Sequence, residues 1–386
     1  MRQKGKYMWI RNANVFRNGK FELGDIRVDG QRIAGITSVG KVQDKDGEQE
    51  IEGKGMYAIP GLIDIHFHGC VGHELGEDTK VALPAIAKYQ QSVGVLGICP
   101  TAMTCSEEDM SRTMKAVSEY DGEGADLVGL HLEGPFLSPN KVGAQNPAFL
   151  QLPKVETVLR WQELSGGLIR QCDVAPELPG AMEFIKEISE IIPAVSIAHT
   201  TAGYDISKEA MEAGVNHLTH GFNAMPGIHH REPGPLIAAS DMGAYVELIT
   251  DNVHLHPAIV RAAVKLFGED RVVFISDSMS ACGLEDGDYS LGGLDVTVQG
   301  RRAVLTDHPE TLAGSVTNLM DCMRRAVLEM EIPLELAVKA SSTNAARSIG
   351  IDGDYGEIAE GKFANLLLLD ENLELCHIIQ KGVLVR

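Results

Sequence analysis

Along the first fifty-odd residues, short apolar runs alternate with turn signals and no helical period appears. Residues 7–10, 26–28 and 32–36 read as strands, punctuated by Asn18-Gly19 and Asp29-Gly30. From about Tyr57 the pattern changes. Apolar runs at 58–68, 93–103, 127–136, 168–177, 194–200, 217–224, 244–250 and 271–279 recur, with helix-like stretches between most of them. Their Val, Ile and Leu content is what strands buried on both faces require. The stretches 81–93, 107–119, 181–190 and 257–266 have the spacing of amphipathic helices. Eight such strands with helical crossovers predict an α/β chain whose centre is a (β/α)8 barrel of the TIM type. Beyond the eighth run, 287–302 reads as hairpin strands and 318–330 and 334–349 as helices, and strand character returns at 365–369 and 383–386. The two ends share a β character that the middle lacks. They are expected to form one small β-sandwich-like domain from residues 1–55 and 351–386, around a catalytic barrel at 56–350.

Composition narrows the classes. Of 386 residues, 44% are apolar and 23% charged, enough for a large core and ordinary for a globular chain. The formal charge of -20 argues against nucleic acid or an anionic membrane as partner, because phosphates are repelled on average. A phosphorylated substrate would need a local cluster of positive groups. Seven cysteines, an odd number without a C-x-x-C pair, fit a reducing compartment better than a disulfide framework or a structural zinc site. Residues 1–14 carry no apolar signal core, and no apolar stretch approaches eighteen residues. Neither a secretory signal nor a membrane span is expected, and the cytoplasm is the expected location.

Candidate chemistry lies at the carboxyl ends of the barrel runs. His66 and His68 alternate along the first run, so both project to one side and can chelate an ion. Glu133 stands where the third run meets Gly134-Pro135, and His199 and His220 end the fifth and sixth runs. Asp277, near the end of the eighth, stands where a proton-transfer carboxylate is needed beside a metal-bound water. Each alone reads equally well as a hydrogen-bonded histidine or a turn acid. Together they fall on the face where barrel active sites are built. His217, three residues before His220, faces away and reads as a packing residue. Imidazole and carboxylate donors suit Zn2+, Fe2+, Mn2+ or Co2+.

Longer stretches carry a resemblance. Pro60-Gly61-Leu62-Ile63-Asp64 followed by His66-x-His68 resembles the opening of the amidohydrolase superfamily. The blocks 129–136 (Gly-Leu-His-Leu-Glu-Gly-Pro-Phe), 220–225 (His-Gly-Phe-Asn-Ala-Met), 231–234, 312–315 and 356–366 resemble N-acetylglucosamine-6-phosphate deacetylases. The resemblance implies hydrolysis of the acetamide of an amino-sugar 6-phosphate. It implies a main divalent metal, zinc first among the candidates, on Glu133, His199 and His220. A second ion on His66 and His68, with Glu133 between the two, is implied for members that keep the H-x-H pair. Asp277 would take a proton from the attacking water and hand it to the leaving amine. Asn223, Ala224, Arg231 and His254 match positions that contact the 6-phosphate, and Leu312, Ala144 and Gln145 are further substrate contacts. Gln145 stands where some relatives have a histidine. The phosphate grip is partly supplied across a dimer interface in the family, which implies a homodimer. Other readings are the N-acetylgalactosamine 6-phosphate isomer as substrate, a cyclic-amide hydrolase of the same superfamily, and a non-catalytic binding barrel.

Overall fold

The structure is a computed structural model that describes residues 7–40 and 49–386. Residues 1–6 and 41–48 of the expected amino-terminal β segment lie outside the described residues.

The middle of the chain is mixed α/β, as expected. Seven parallel strands form one sheet in the order Thr101–Met103, Leu130–Glu133, Ile169–Val174, Ala194–Ile197, His217–Leu218, Tyr245–Ile249 and Val272–Ile275. A second parallel sheet holds Leu62–Asp64, Val95–Ile98 and Asp126–Leu127. Backbone bonds run between the two. Thr101 donates to the Phe67 carbonyl at 2.8 Å, Asp277 to that of His66 at 2.9 Å, and His68 to that of Ser278 at 2.8 Å. The Ser276 hydroxyl adds a bond to Asp64 Oδ2 at 2.6 Å, tying the last parallel strand to the first.

Helices follow most strands because apolar residues at helical spacing must be buried against the sheets. Thr79–Ser92, Glu107–Ser118, Ala181–Ile188 and Pro257–Phe267 match the predicted stretches within a few residues. The helices Val155–Leu164, Tyr204–Ala213 and Gly234–Asp241 were not singled out from sequence. Their inner faces join the strands in one extended core, with Phe136, Trp161, Phe184 and Phe274 fully buried. The hairpin expected at 287–302 is larger than predicted, a four-stranded antiparallel sheet spanning Gly287–Leu291 to His308–Leu312.

Among the described residues, segments from both ends of the chain meet in one eight-stranded sheet. The run at 58–68 divides between the two regions. Tyr57–Pro60 pairs with Leu366–Leu369 in this terminal sheet, and Leu62–Asp64 begins the parallel one. Gly61 lies at the crossing, where a side chain would sit 2.7 Å from Leu96. No helix among the described residues is long and apolar enough to cross a membrane.

Gly134, just after the Leu130–Glu133 strand, has φ +102°, and an added Cβ would lie 2.1 Å from Thr104 Oγ1. Gly134→Ala combines a disfavoured backbone with a steric clash. It is expected to destabilise the fold by roughly 2–4 kcal/mol, read as a lower urea midpoint at unchanged slope. Wild-type stability of this variant would contradict the packing described.

Candidate metal centre and substrate cavity

Six side chains from distant strands meet at one end of the parallel sheets. They form two groups whose donor atoms lie close together: His66, His68 and Asp277, and Glu133, His199 and His220. All six are buried. Glu133 faces both groups. Its Oε1 is 3.0 Å from His199 Nε2 and 3.0 Å from His220 Nε2. Its Oε2 is 3.3 Å from His68 Nε2 and 3.7 Å from His66 Nε2. Asp277 Oδ1 lies 3.1 Å from His68 Nε2 and 3.6 Å from His66 Nε2.

The donor set fits a divalent cation. His199 and His220 bring their Nε2 atoms within 3.1 Å of each other. Two lone pairs that close gain nothing unless a proton or a cation lies between them. Ligands 2.0–2.1 Å from one tetrahedral ion would be about 3.3 Å apart, close to the separations seen here. His66 Nε2 and Asp277 Oδ1 are buried without a hydrogen-bond partner. Such orphaned atoms are costly unless something else satisfies them.

Electrostatics agree. Burial opposes protonation of His66, yet the carboxylates of Glu247, Asp277 and Glu133 hold it well above the ordinary imidazole value. His68 is raised beside Asp277 and Glu133, and His199 beside Glu133. Burial likewise opposes the Glu133 charge, but His66, His199 and His220 hold that carboxyl well below its usual range. A pocket that draws protons this strongly draws divalent cations for the same reason.

The backbone shapes the site too. His199, His220 and Asp277 have φ of +42°, +30° and +49°, in the left-handed region that non-glycine residues seldom adopt. Each turns the chain sharply as it leaves its strand and aims the side chain across the sheet end. Their carbonyls are taken by the N–H groups of Ser138, Asn223 and Ser315, at 3.0, 3.0 and 2.7 Å.

Five of the six, all but His66, open onto a cavity of about 470 Å3. Ala144, Gln145, Asn223, Ala224, His254 and Leu312, the residues that the sequence offers as substrate contacts, line it. Arg231 does not; it is exposed on a loop, 2.7 Å from His230 Nε2. Gln145 is held at both ends. Its Oε1 accepts from the Thr104 N–H at 2.9 Å and its Nε2 donates to Glu133 Oε2 at 2.8 Å. It therefore steadies Glu133, a contact that sequence reading missed. His254 Nδ1 is 2.8 Å from Asp251 Oδ2. Burial works against the His254 charge, but Asp251 raises its pKa above the ordinary imidazole value, and its ring lines the cavity. His217 stays apart from both groups, buried against the Tyr245 ring and 3.4 Å from Glu247.

Sequence reading also missed a polar layer beneath the site. Glu247, Gln171, His131, Asp173 and Thr219 are all fully buried. Glu247 bonds His66 and Gln171, and Asp173 bonds His131 and Thr219. The available signal was a carboxylate inside an apolar strand, as in Tyr-Val-Glu-Leu-Ile at Tyr245–Ile249.

Comparison with known proteins places this geometry in a family. Residues 57–383 match the amidohydrolase family. The N-acetylglucosamine-6-phosphate deacetylase of Bacillus subtilis is 35% identical over 84% of this chain and 83% of its own. An N-acetylgalactosamine-6-phosphate deacetylase of Escherichia coli O157:H7 is 31% identical over 84% of this chain and 86% of its own. Among solved structures, a mutant of the Mycobacterium smegmatis N-acetyl-D-glucosamine-6-phosphate deacetylase, in complex with N-acetyl-D-glucosamine-6-phosphate, superposes with a TM-score of 0.89. It is 27% identical, covering 99% of this chain and 100% of that one. This chain belongs to the amidohydrolase family and, within it, to the N-acetylglucosamine-6-phosphate deacetylases.

Proposed function

We propose that this protein hydrolyses the acetamide of N-acetyl-D-glucosamine 6-phosphate to D-glucosamine 6-phosphate and acetate, with a divalent metal. The observation that carries the reading is the meeting of two ligand groups on the two oxygens of Glu133, at the floor of a sugar-sized cavity. We read the two parallel sheets as one (β/α)8 barrel over residues 56–350. We read the terminal sheet as a sandwich-like domain from 1–55 and 351–386, supported by an apolar cluster shared by Ile10, Ile26, Leu366 and Ile379. Seven unpaired cysteines accord with a cytoplasmic setting.

Glu133, His199 and His220 would hold one ion, and His66 and His68 a second across Glu133. The imidazole and carboxylate donors favour zinc, while Fe2+, Mn2+ and Co2+ suit them too. When bound, the metal lowers the pKa of a water towards about 7 and polarises the acetyl carbonyl. The chain's own groups do the rest. Asp277 accepts the proton of the attacking water and passes it to the sugar nitrogen as the carbon–nitrogen bond breaks. Burial opposes its charge, but His66 and His68 keep its pKa below the ordinary carboxylate value, so it begins as a base. Leu312, Ala144 and Gln145 frame the sugar, the Asn223-Ala224 turn lies towards its phosphate, and Gln145 also fixes Glu133. His254 meets the phosphate. Arg231 lies outside its own chain's cavity, so we read it as serving the site of a second copy in a homodimer.

The galacto isomer differs in one hydroxyl orientation, and the relative that acts on it keeps this substrate in view. A kcat/KM at least tenfold higher for the gluco sugar is expected; the reverse order would assign the enzyme to the isomer.

Zinc-loaded protein is expected to release acetate from N-acetylglucosamine 6-phosphate, and chelator-treated protein to release none. If metal-loaded protein turns over no acetylated amino-sugar phosphate, the proposal fails. Asp277→Asn should lower kcat by about 10²–10⁴-fold. Elemental analysis should find its metal retained.

Asp251→Asn tests the phosphate contact. The amide still accepts from the Val253 and His254 N–H groups, but no longer raises the His254 pKa. His254 then loses its proton at lower pH. The rise of KM with pH should move to lower pH, with kcat little changed. An unmoved KM profile would remove His254 from the phosphate site.

A further inference from the structure

Glu247 lies within the strand Tyr245–Ile249, fully buried beneath the cavity and outside its lining. Its Oε2 is 2.8 Å from His66 Nδ1 and accepts the backbone N–H of His220 at 3.1 Å. Its Oε1 accepts from Gln171 Nε2 at 2.7 Å. Across the same imidazole, His66 Nε2 has no hydrogen-bond partner and faces Glu133 Oε2 and Asp277 Oδ1.

A carboxylate can only accept, so the ring proton of a neutral His66 must sit on Nδ1 and the lone pair on Nε2. That is the form in which Nε2 can bind an ion. The other group has weaker support. His199 Nδ1 pairs with the Lys141 carbonyl at 2.8 Å, a neutral acceptor, and His220 Nδ1 has no hydrogen-bond partner. Charge behind a ligand histidine thus belongs to the His66 side alone among the described residues of these two groups.

We propose that Glu247 is the positioning residue of the second ion. It fixes the His66 ring by its Nδ1–H and makes Nε2 a stronger donor. Through the His220 N–H, it also holds the two ligand groups in register. This rests on the two-ion reading above.

Glu247→Gln keeps the shape and removes the charge. Its amide oxygen can still accept from His66. Gln171, whose Oε1 is unpartnered, can turn to accept from the new amide. Zinc titration of chelator-treated full chain should find two sites in the wild type. In Glu247→Gln one site should be unchanged and the other weakened about 10–100-fold. Glu247→Asp, which keeps the charge, should recover part of the loss. In the zinc-loaded, 15N-histidine-labelled protein, the His66 Nδ1–H proton should lie far downfield and move upfield in Glu247→Gln. Equal zinc affinities in wild type and Glu247→Gln, equal weakening of both sites, or an unmoved Nδ1–H resonance would overturn the proposal. A wild type that binds a single zinc would instead overturn the two-ion reading. The proton resonance would then still decide whether Glu247 orients His66.

Discussion

The structure turns on a single buried carboxylate whose two oxygens face different partners. Glu133 sets His199 and His220 on one side and His66 and His68 on the other. A carboxylate this deep is costly to ionise unless cations or donors surround it. Its hydrogen-bonding partners act to meet that cost. Four histidines converge on it, Gln145 donates to it, and the residues following it, Gly134-Pro135, turn the chain away so that it stands at the strand end. Remove that requirement and little explains why histidines from separate segments should converge so closely.

The same requirement accounts for the unusual backbone at the site. Three of the converging residues leave their strands in the left-handed region, which disfavours side-chain-bearing residues by about 1–3 kcal/mol each. A regular strand end would send successive side chains to alternate faces of the sheet. The left-handed turn redirects them inward. Its cost is offset by the bonds that take up each carbonyl and by burial of the strands on both faces. Precision at the site and stability of the sheets are therefore joint properties of the strand ends.

How far this could be read from sequence follows from the same distinction. The H-x-H pair and the acids and histidines closing apolar runs are local signals, and the structure gathers all six in one place. Contacts across the sheets are not local. Glu247 meets His66 from 181 residues away, and nothing in Tyr-Val-Glu-Leu-Ile says which histidine its carboxylate will face. The run at 58–68 shows a second limit. Hydrophobic periodicity reports burial, not the partner sheet, so a strand that changes sheets at Gly61 looks continuous. Arg231 shows a third. A matching motif fixes where a residue lies along the chain, but whether it reaches its own cavity depends on a loop path that no periodicity encodes.

Net charge was the least informative of the sequence features for the substrate, and the reason is physical. A formal charge of -20 is spread over a large surface and screened over about 8 Å at physiological ionic strength. Inside the cavity, screening is weak and the local groups dominate. There, Lys141 and His254, whose pKa Asp251 raises against burial, stand in the lining whatever the exterior carries. An acidic protein can thus take an anionic sugar phosphate without contradiction. The repulsion that excludes extended polyanions acts on surfaces many residues wide, while a single phosphate entering a cavity meets only the charges that line it.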